Sequence, residues 1–216
     1  MIGVFLAISA YIYPSLALVL IWASVSLVFI ACGYGGVGAK VFGKEDDGKI
    51  PIFFKLVLFP YLLFTWAVWN LIRLLSKEDA FNQIDEEITV GRRLLHHEIS
   101  QKFDHYVDLT AEFDEPNSIG SASTYRCLPI LDAGVPSFLE LDEMLQRVNK
   151  GNVYIHCAQG HGRTGLFAIA LLYSRGKIRN IKEGLVFLQE SRPAIKLNSL
   201  QENFLTKYFK EKGSAL

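Results

Sequence analysis

The stretch His156–Gly165 reads HCAQGHGRTG and decides how this 216-residue chain is read. It sets Cys157 and Arg163 six positions apart, between two apolar runs. Val153, Tyr154 and Ile155 precede it and predict a buried strand; Leu166 to Tyr173 follow and predict a buried helix. Gly160, Gly162 and Gly165 lie between, and glycine permits backbone conformations that other residues avoid. A strand, a glycine-bearing loop and a helix start make an anion site. The loop amides point inward, and the helix dipole adds roughly half a positive charge.

The chemistry follows from that geometry. Helix N-termini and cationic neighbours lower a thiol's pKa from about 8.5 to roughly 3.5–7.5, and the thiolate is a strong nucleophile. Cys157, at the base of the loop, is the candidate nucleophile. Arg163, at its far end, has a planar fork that matches two oxygens of a phosphoryl group and stabilises charge building on them. Ala158, Gln159, Gly160, His161 and Gly162 complete the phosphate-binding set with Arg163. Thr164 is expected to donate its hydroxyl to the sulfur. His156 is expected to orient the loop from beneath, because a thiolate needs no base.

HC, five residues, then RT resembles the signature of the cysteine-dependent protein tyrosine phosphatase superfamily, and the domain length resembles its compact dual-specificity branch. A rhodanese-like sulfur-transfer loop is the rival reading, and the full HCxxGxxRTG string argues against it. Val107–Thr110 with Glu112 resembles the VDLTxE stretch that opens a core strand in these phosphatases. LPILDAGVP, Leu128 to Pro136, resembles the segment carrying their general acid, which makes Asp132 the candidate acid, twenty-five residues before Cys157. Asp142 is its rival, placed inside the helix that follows. RPAIKLNSLQENF, Arg192 to Phe204, resembles the family's final segment, and Gln201 there is a candidate for placing the hydrolytic water. Phosphoinositide phosphatases of the tumour-suppressor type carry lysines where this loop has Ala158 and His161; His161 is read as a rim residue facing solvent, with a partial, pH-dependent charge as the other reading. The resemblance implies a phosphatase working through a cysteinyl-phosphate, with no metal and no cofactor. Its implied substrates are phosphotyrosine, phosphoserine or phosphothreonine proteins. A phospholipid headgroup, such as phosphatidylglycerophosphate, and a catalytically silent phosphate-binding scaffold are the alternatives.

The rest of the chain has another character. No charged side chain occurs before Lys40. Residues 2–31 form an apolar run longer than the roughly 20 residues a bilayer requires. A second run, residues 51–74, is marked by Lys55 and Arg73, which are expected to snorkel to the interfaces beside Tyr61, Trp66 and Trp69. A cleaved signal peptide fits residues 1–31 poorly, since there is no basic start and the run is too long. The expectation is therefore a membrane region over 1–75 with two transmembrane helices, and a phosphatase-like catalytic domain over 76–216. Lys and Arg fall almost equally on both sides of the second helix, so the positive-inside rule is nearly tied. The sparse cysteines, Cys32, Cys127 and Cys157, favour a reducing compartment and thus a cytoplasmic domain, with a periplasmic one as the alternative.

That domain reads as α/β, a mostly parallel central sheet flanked by helices. Strands are expected at 88–90, 105–109, 126–130 and 153–156. Helices are expected to start at Ser137, Asn180 and Ser199, each with a glutamate three residues on, as in a capping box. From Ser76 onward 17 basic residues face 19 acidic ones, a net charge of −2 that leaves no nucleic-acid footprint. The expected partners are a phosphoprotein or phospholipid substrate and a lipid bilayer.

Overall fold

Short β-branched and aromatic runs pair into one five-stranded sheet in the computed structural model, which describes residues 3, 4, 9, 14–98, 102–120, 122 and 124–213. The chain divides into two compact units. One is Met1–Ser76 with Ala111–Asp114; the other is Lys77–Thr110 with Glu115–Leu216.

In the second unit the strands are β1 (Phe81–Gln83), β2 (Ile88–Arg92), β3 (His105–Thr110), β4 (Tyr125–Ile130) and β5 (Val153–Cys157), in the order β1-β2-β5-β3-β4. β2, β5, β3 and β4 run parallel, and β1 is an antiparallel edge. β2, β3 and β5 are buried along almost their whole length, as parallel strands covered on both faces must be. The sheet is therefore α/β and mostly parallel, with the four expected strands present. β1 carried no sequence signal: Phe-Asn-Gln is too short to show an alternation.

Helices cover the sheet. α3 (Phe138–Arg147) starts from Ser137, whose side chain accepts from the Glu140 amide while Glu140 accepts from the Ser137 amide, a complete capping box. α4 (Gly162–Ser174) is the central helix, buried from Arg163 to Leu172. α5 (Ile181–Ser191) is capped by Asn180, and α6 (Ser199–Gly213) closes the unit. The third capping box falls one residue earlier than expected. Asn198 Oδ1 accepts from the Gln201 amide, and Gln201 Oε1 accepts from the Asn198 amide, so Asn198 and Gln201 take the roles expected of Ser199 and Glu202. Val107, Ile155, Leu166, Leu171 and Leu205 lie in one continuous core. The central strand β5 ends on Cys157 at the start of the loop leading into α4.

The first unit is a pair of helices, α1 (Ala17–Cys32) and α2 (Ile52–Leu75). The start of the first apolar run, residues 2, 5–8 and 10–13, lies outside the described residues. Trp22 Nε1 donates to the Leu56 carbonyl at 2.8 Å, and its ring stacks on Phe59. Leu58 and Trp69 are buried between the elements of this unit, whereas Leu18, Ile52 and Leu74 are exposed. Two helical segments, Ala17–Phe42 and Ile52–Leu75, are long and apolar enough to cross a membrane. Lys55 Nζ pairs with Asp114 Oδ2 at 2.5 Å, while Asp114 Oδ1 accepts from the Ile50 amide. Phe113 packs on Trp69, and Arg73 lies over the same ring.

Candidate active site

The loop after β5 is shaped by a close approach of two backbones. Gly160 has φ of +74°, and a Cβ there would stand 2.3 Å from the Gly91 carbonyl. Only glycine fits both the conformation and the gap. The turn brings the Gly160 amide round to the candidate nucleophile, where it donates to Cys157 Sγ at 3.3 Å. Cys157 is 4% exposed, at the floor of the loop.

The loop is tied from outside by a residue that sequence reasoning missed. Arg192, 2% exposed, donates to the Gln159 carbonyl, the Gly160 carbonyl and the Asp79 carbonyl, each at 3.0 Å. It also bonds Asn82 Oδ1 at 2.6 Å and Glu78 Oε2 at 3.2 Å. Burial lowers its pKa from the ordinary arginine value, and the neighbouring Glu78 charge partly restores it. The Arg93 amide donates to the Ala158 carbonyl. With their carbonyls engaged outward, the loop peptides are free to turn amides inward.

Beneath the loop, His156 is fully buried between Tyr106 and Tyr154. Its Nε2 lies 3.7 Å from Asp108 and 3.9 Å from Glu115. These three side chains are close enough together to suggest metal ligands. Asp108, however, already accepts from the Thr110 amide, the Thr110 hydroxyl and the Tyr125 hydroxyl, and Glu115 pairs with Arg93 at 3.1 Å. His156 directly precedes Cys157 in the chain, and the cluster buries polar groups beneath the loop. Burial pushes the Tyr106 and Tyr154 phenols well above the ordinary tyrosine range, so they act there as neutral groups.

At the mouth stand Arg163 and Asp132. Arg163 is 2% exposed and donates to the Ile130 carbonyl at 2.9 Å. Its second nitrogen lies 3.2 Å from Asp132 Oδ1. Asp132 sits in the turn after β4 with 73% of its side chain exposed. Ala133, next to it, has a φ of 57°, and the turn is held by Asn198 Nδ2 on the Ala133 carbonyl and Gln201 Nε2 on the Gly134 carbonyl. Asp142 is not brought to the loop. It accepts from the Tyr208 hydroxyl and from Lys212, both at 2.5 Å. Burial raises its carboxyl, but those two bonds prevail and hold it below the ordinary aspartate value. A cavity of about 650 Å³, lined by Asp142, Tyr173, Arg179, Tyr208 and Lys212 among others, lies there, away from Cys157.

Three expectations need adjustment. The Thr164 hydroxyl is buried and finds no hydrogen-bond partner among the described residues, so the expected bond to sulfur is not formed. His161 does not simply face solvent: its Nε2 lies 2.7 Å from Glu78 Oε2. Gln201 is 1% exposed and its amide is engaged at both ends, on Asn198 and on Gly134, so it holds the Asp132 turn. Its Oε1 also lies 3.1 Å from where a Cβ on Gly162 would be, beside the loop.

Compared with protein-family models and with curated proteins, the sequence matches none. Solved structures do match. PTPMT1 in complex with PI(5)P superposes with a TM-score of 0.55 at 17% identity, over 64% of this chain and 100% of that one. A point variant of human DUSP28 gives 0.56 at 13% identity, over 64% and 100%. Tk-PTP in the active form gives 0.52 at 26% identity, over 61% and 97%. The chain has the dual-specificity phosphatase fold. Its structural neighbours are phosphatases, which supports a phosphatase here. In this fold Arg192 and Asn198 come from the segment Arg192–Phe204, whose resemblance was visible as a string. The side-chain partners of Arg192 lie about 30 to 110 positions away along the chain, and Asn198, besides capping its own helix, reaches Ala133 65 positions away, so no local pattern announced these roles.

Proposed function

We propose that this chain is a membrane-anchored phosphatase that hydrolyses phosphomonoesters through a cysteinyl-phosphate. The observation that supports the reading is a buried Cys157 whose sulfur accepts from the Gly160 amide, on the same loop as Arg163, whose guanidinium lies 3.2 Å from Asp132. The Cys157 thiolate attacks phosphorus, and the bond from phosphorus to the leaving oxygen breaks. Asp132, as the acid, gives its proton to that oxygen. Arg163 and the loop amides hold the other oxygens as charge spreads over them. Water then attacks the cysteinyl-phosphate, Asp132 takes its proton, the S–P bond breaks and inorganic phosphate leaves. His156 and Gln201 support the two ends of the site.

Phosphoproteins are the substrates this reading favours, with the catalytic domain in the cytoplasm. The three cysteines are free thiols, which suits a reducing compartment. A lipid headgroup is the second reading. The two exposed apolar helices support it, as does the solution of the neighbour PTPMT1 with PI(5)P.

The test uses the full chain in phospholipid vesicles, with p-nitrophenyl phosphate, phosphotyrosine peptides and anionic phosphomonoester lipids as substrates. Cys157→Ser is expected to abolish phosphate release while keeping substrate binding. Asp132→Asn is expected to lower kcat by about 100- to 10,000-fold. Acid quench of the Asp132→Asn protein should trap phosphate on Cys157. Full turnover by Cys157→Ser would sink the mechanism, and turnover of lipid alone would move the reading to lipid metabolism.

A further inference from the structure

We propose that Glu78 is a charge-selecting residue at the mouth of the phosphate loop, setting the site for substrates with one phosphate and against those with a second phosphate nearby. The inference rests on the phosphatase reading of the loop and adds its substrate class. His161 is the side chain at the loop's rim that can carry positive charge, and Glu78 Oε2 stands 2.7 Å from its Nε2. The same oxygen lies 3.2 Å from Arg192, the cation behind the loop. One carboxylate oxygen therefore faces the His161 imidazole and the Arg192 guanidinium together. Both members of the rim pair are accessible, with 35% of the His161 side chain and 41% of the Glu78 side chain exposed. The remaining loop side chains, Ala158 and Gln159, are uncharged.

The charge balance sets the selection. Arg163 and the loop amides answer the phosphate being cleaved. A second phosphate on the same substrate meets the rim, where Glu78 offsets the positive charge that would hold it. Two groups a few ångströms apart at an exposed rim interact weakly but measurably, and salt screens them over about 8 Å. A dianionic phosphate beside an added carboxylate thus loses about threefold to tenfold in affinity.

The experiment measures binding to full-length Cys157→Ser protein in detergent micelles, so that it reports whether or not the chain turns over. Two peptides are compared, one with phosphotyrosine alone and one with phosphoserine two residues away as well. Glu78→Gln is expected to shift the affinity ratio toward the doubly phosphorylated peptide by about threefold to tenfold, Glu78→Lys further, and 0.5 M salt to erase most of the shift. A merely structural Glu78 would weaken both peptides in proportion, and that result would overturn the proposal, as would a ratio unmoved across the series. Wild-type turnover of the singly phosphorylated peptide is followed in parallel. Its absence would overturn the phosphatase reading and leave the affinity ratio to judge Glu78.

Discussion

The two halves of the candidate site are built in opposite ways. The phosphate loop is held on every side: Arg192 takes two of its carbonyls, Arg93 a third, and Gly91 presses against Gly160. The acid turn hangs from two side-chain amides, Asn198 and Gln201, and leaves Asp132 largely exposed. Under the proposed mechanism the difference matches what each half would do. Donors that stabilise developing charge act best when fixed beforehand. A group that hands a proton to leaving oxygens of varied size gains from standing at the open edge.

Changes on the two halves test that contrast. Gly160→Ala should be the most severe, because the new methyl collides with the Gly91 carbonyl and the φ disfavours a side chain. A displacement of about 1 Å in such a loop costs on the order of 100-fold in kcat/KM, to be read with p-nitrophenyl phosphate. Arg192→Met should follow. It removes charge-assisted bonds to buried carbonyls and should lower stability by about 2–3 kcal/mol, seen in urea unfolding, with kcat falling alongside. Asn198→Ala should be mildest, near the roughly 1 kcal/mol of a lost helix cap. Its effect should fall on kcat for poor leaving groups, which need the acid, and spare p-nitrophenyl phosphate. If Asn198→Ala slowed both substrates as much as Arg192→Met, the two halves would be equally rigid and the contrast would fail.

What was legible in the sequence was local. HCAQGHGRTG announces strand, turn and helix because all its constraints lie within ten residues. Ser137 and Glu140 announce a helix start for the same reason. What was hidden was distant or ambiguous. Arg192 reads as an ordinary cation after a helix until the fold brings Gln159 and Gly160 to it. Glu78 lies 83 residues from His161. Asn198 and Ser199 are both good caps, and the choice between them was made by Gln201 reaching the acid turn. The partner of Lys55, Asp114, lies 59 residues on in a stretch with no apolar pattern, so their ion pair was not visible in the sequence.

That partner has a practical consequence. Ala111–Asp114 belongs to the helical unit, although Thr110 before it and Glu115 after it belong to the other. The polypeptide therefore leaves the helical unit, returns for four residues and leaves again. A fragment cut at residue 76 would not be a clean excision. It would carry Phe113 and Asp114 without Trp69, Lys55 and the Ile50 amide, stranding an aromatic ring and a carboxylate one residue from Glu115. Poor behaviour of such a fragment would reflect where the knife fell, and the intact chain is the proper material for enzymology.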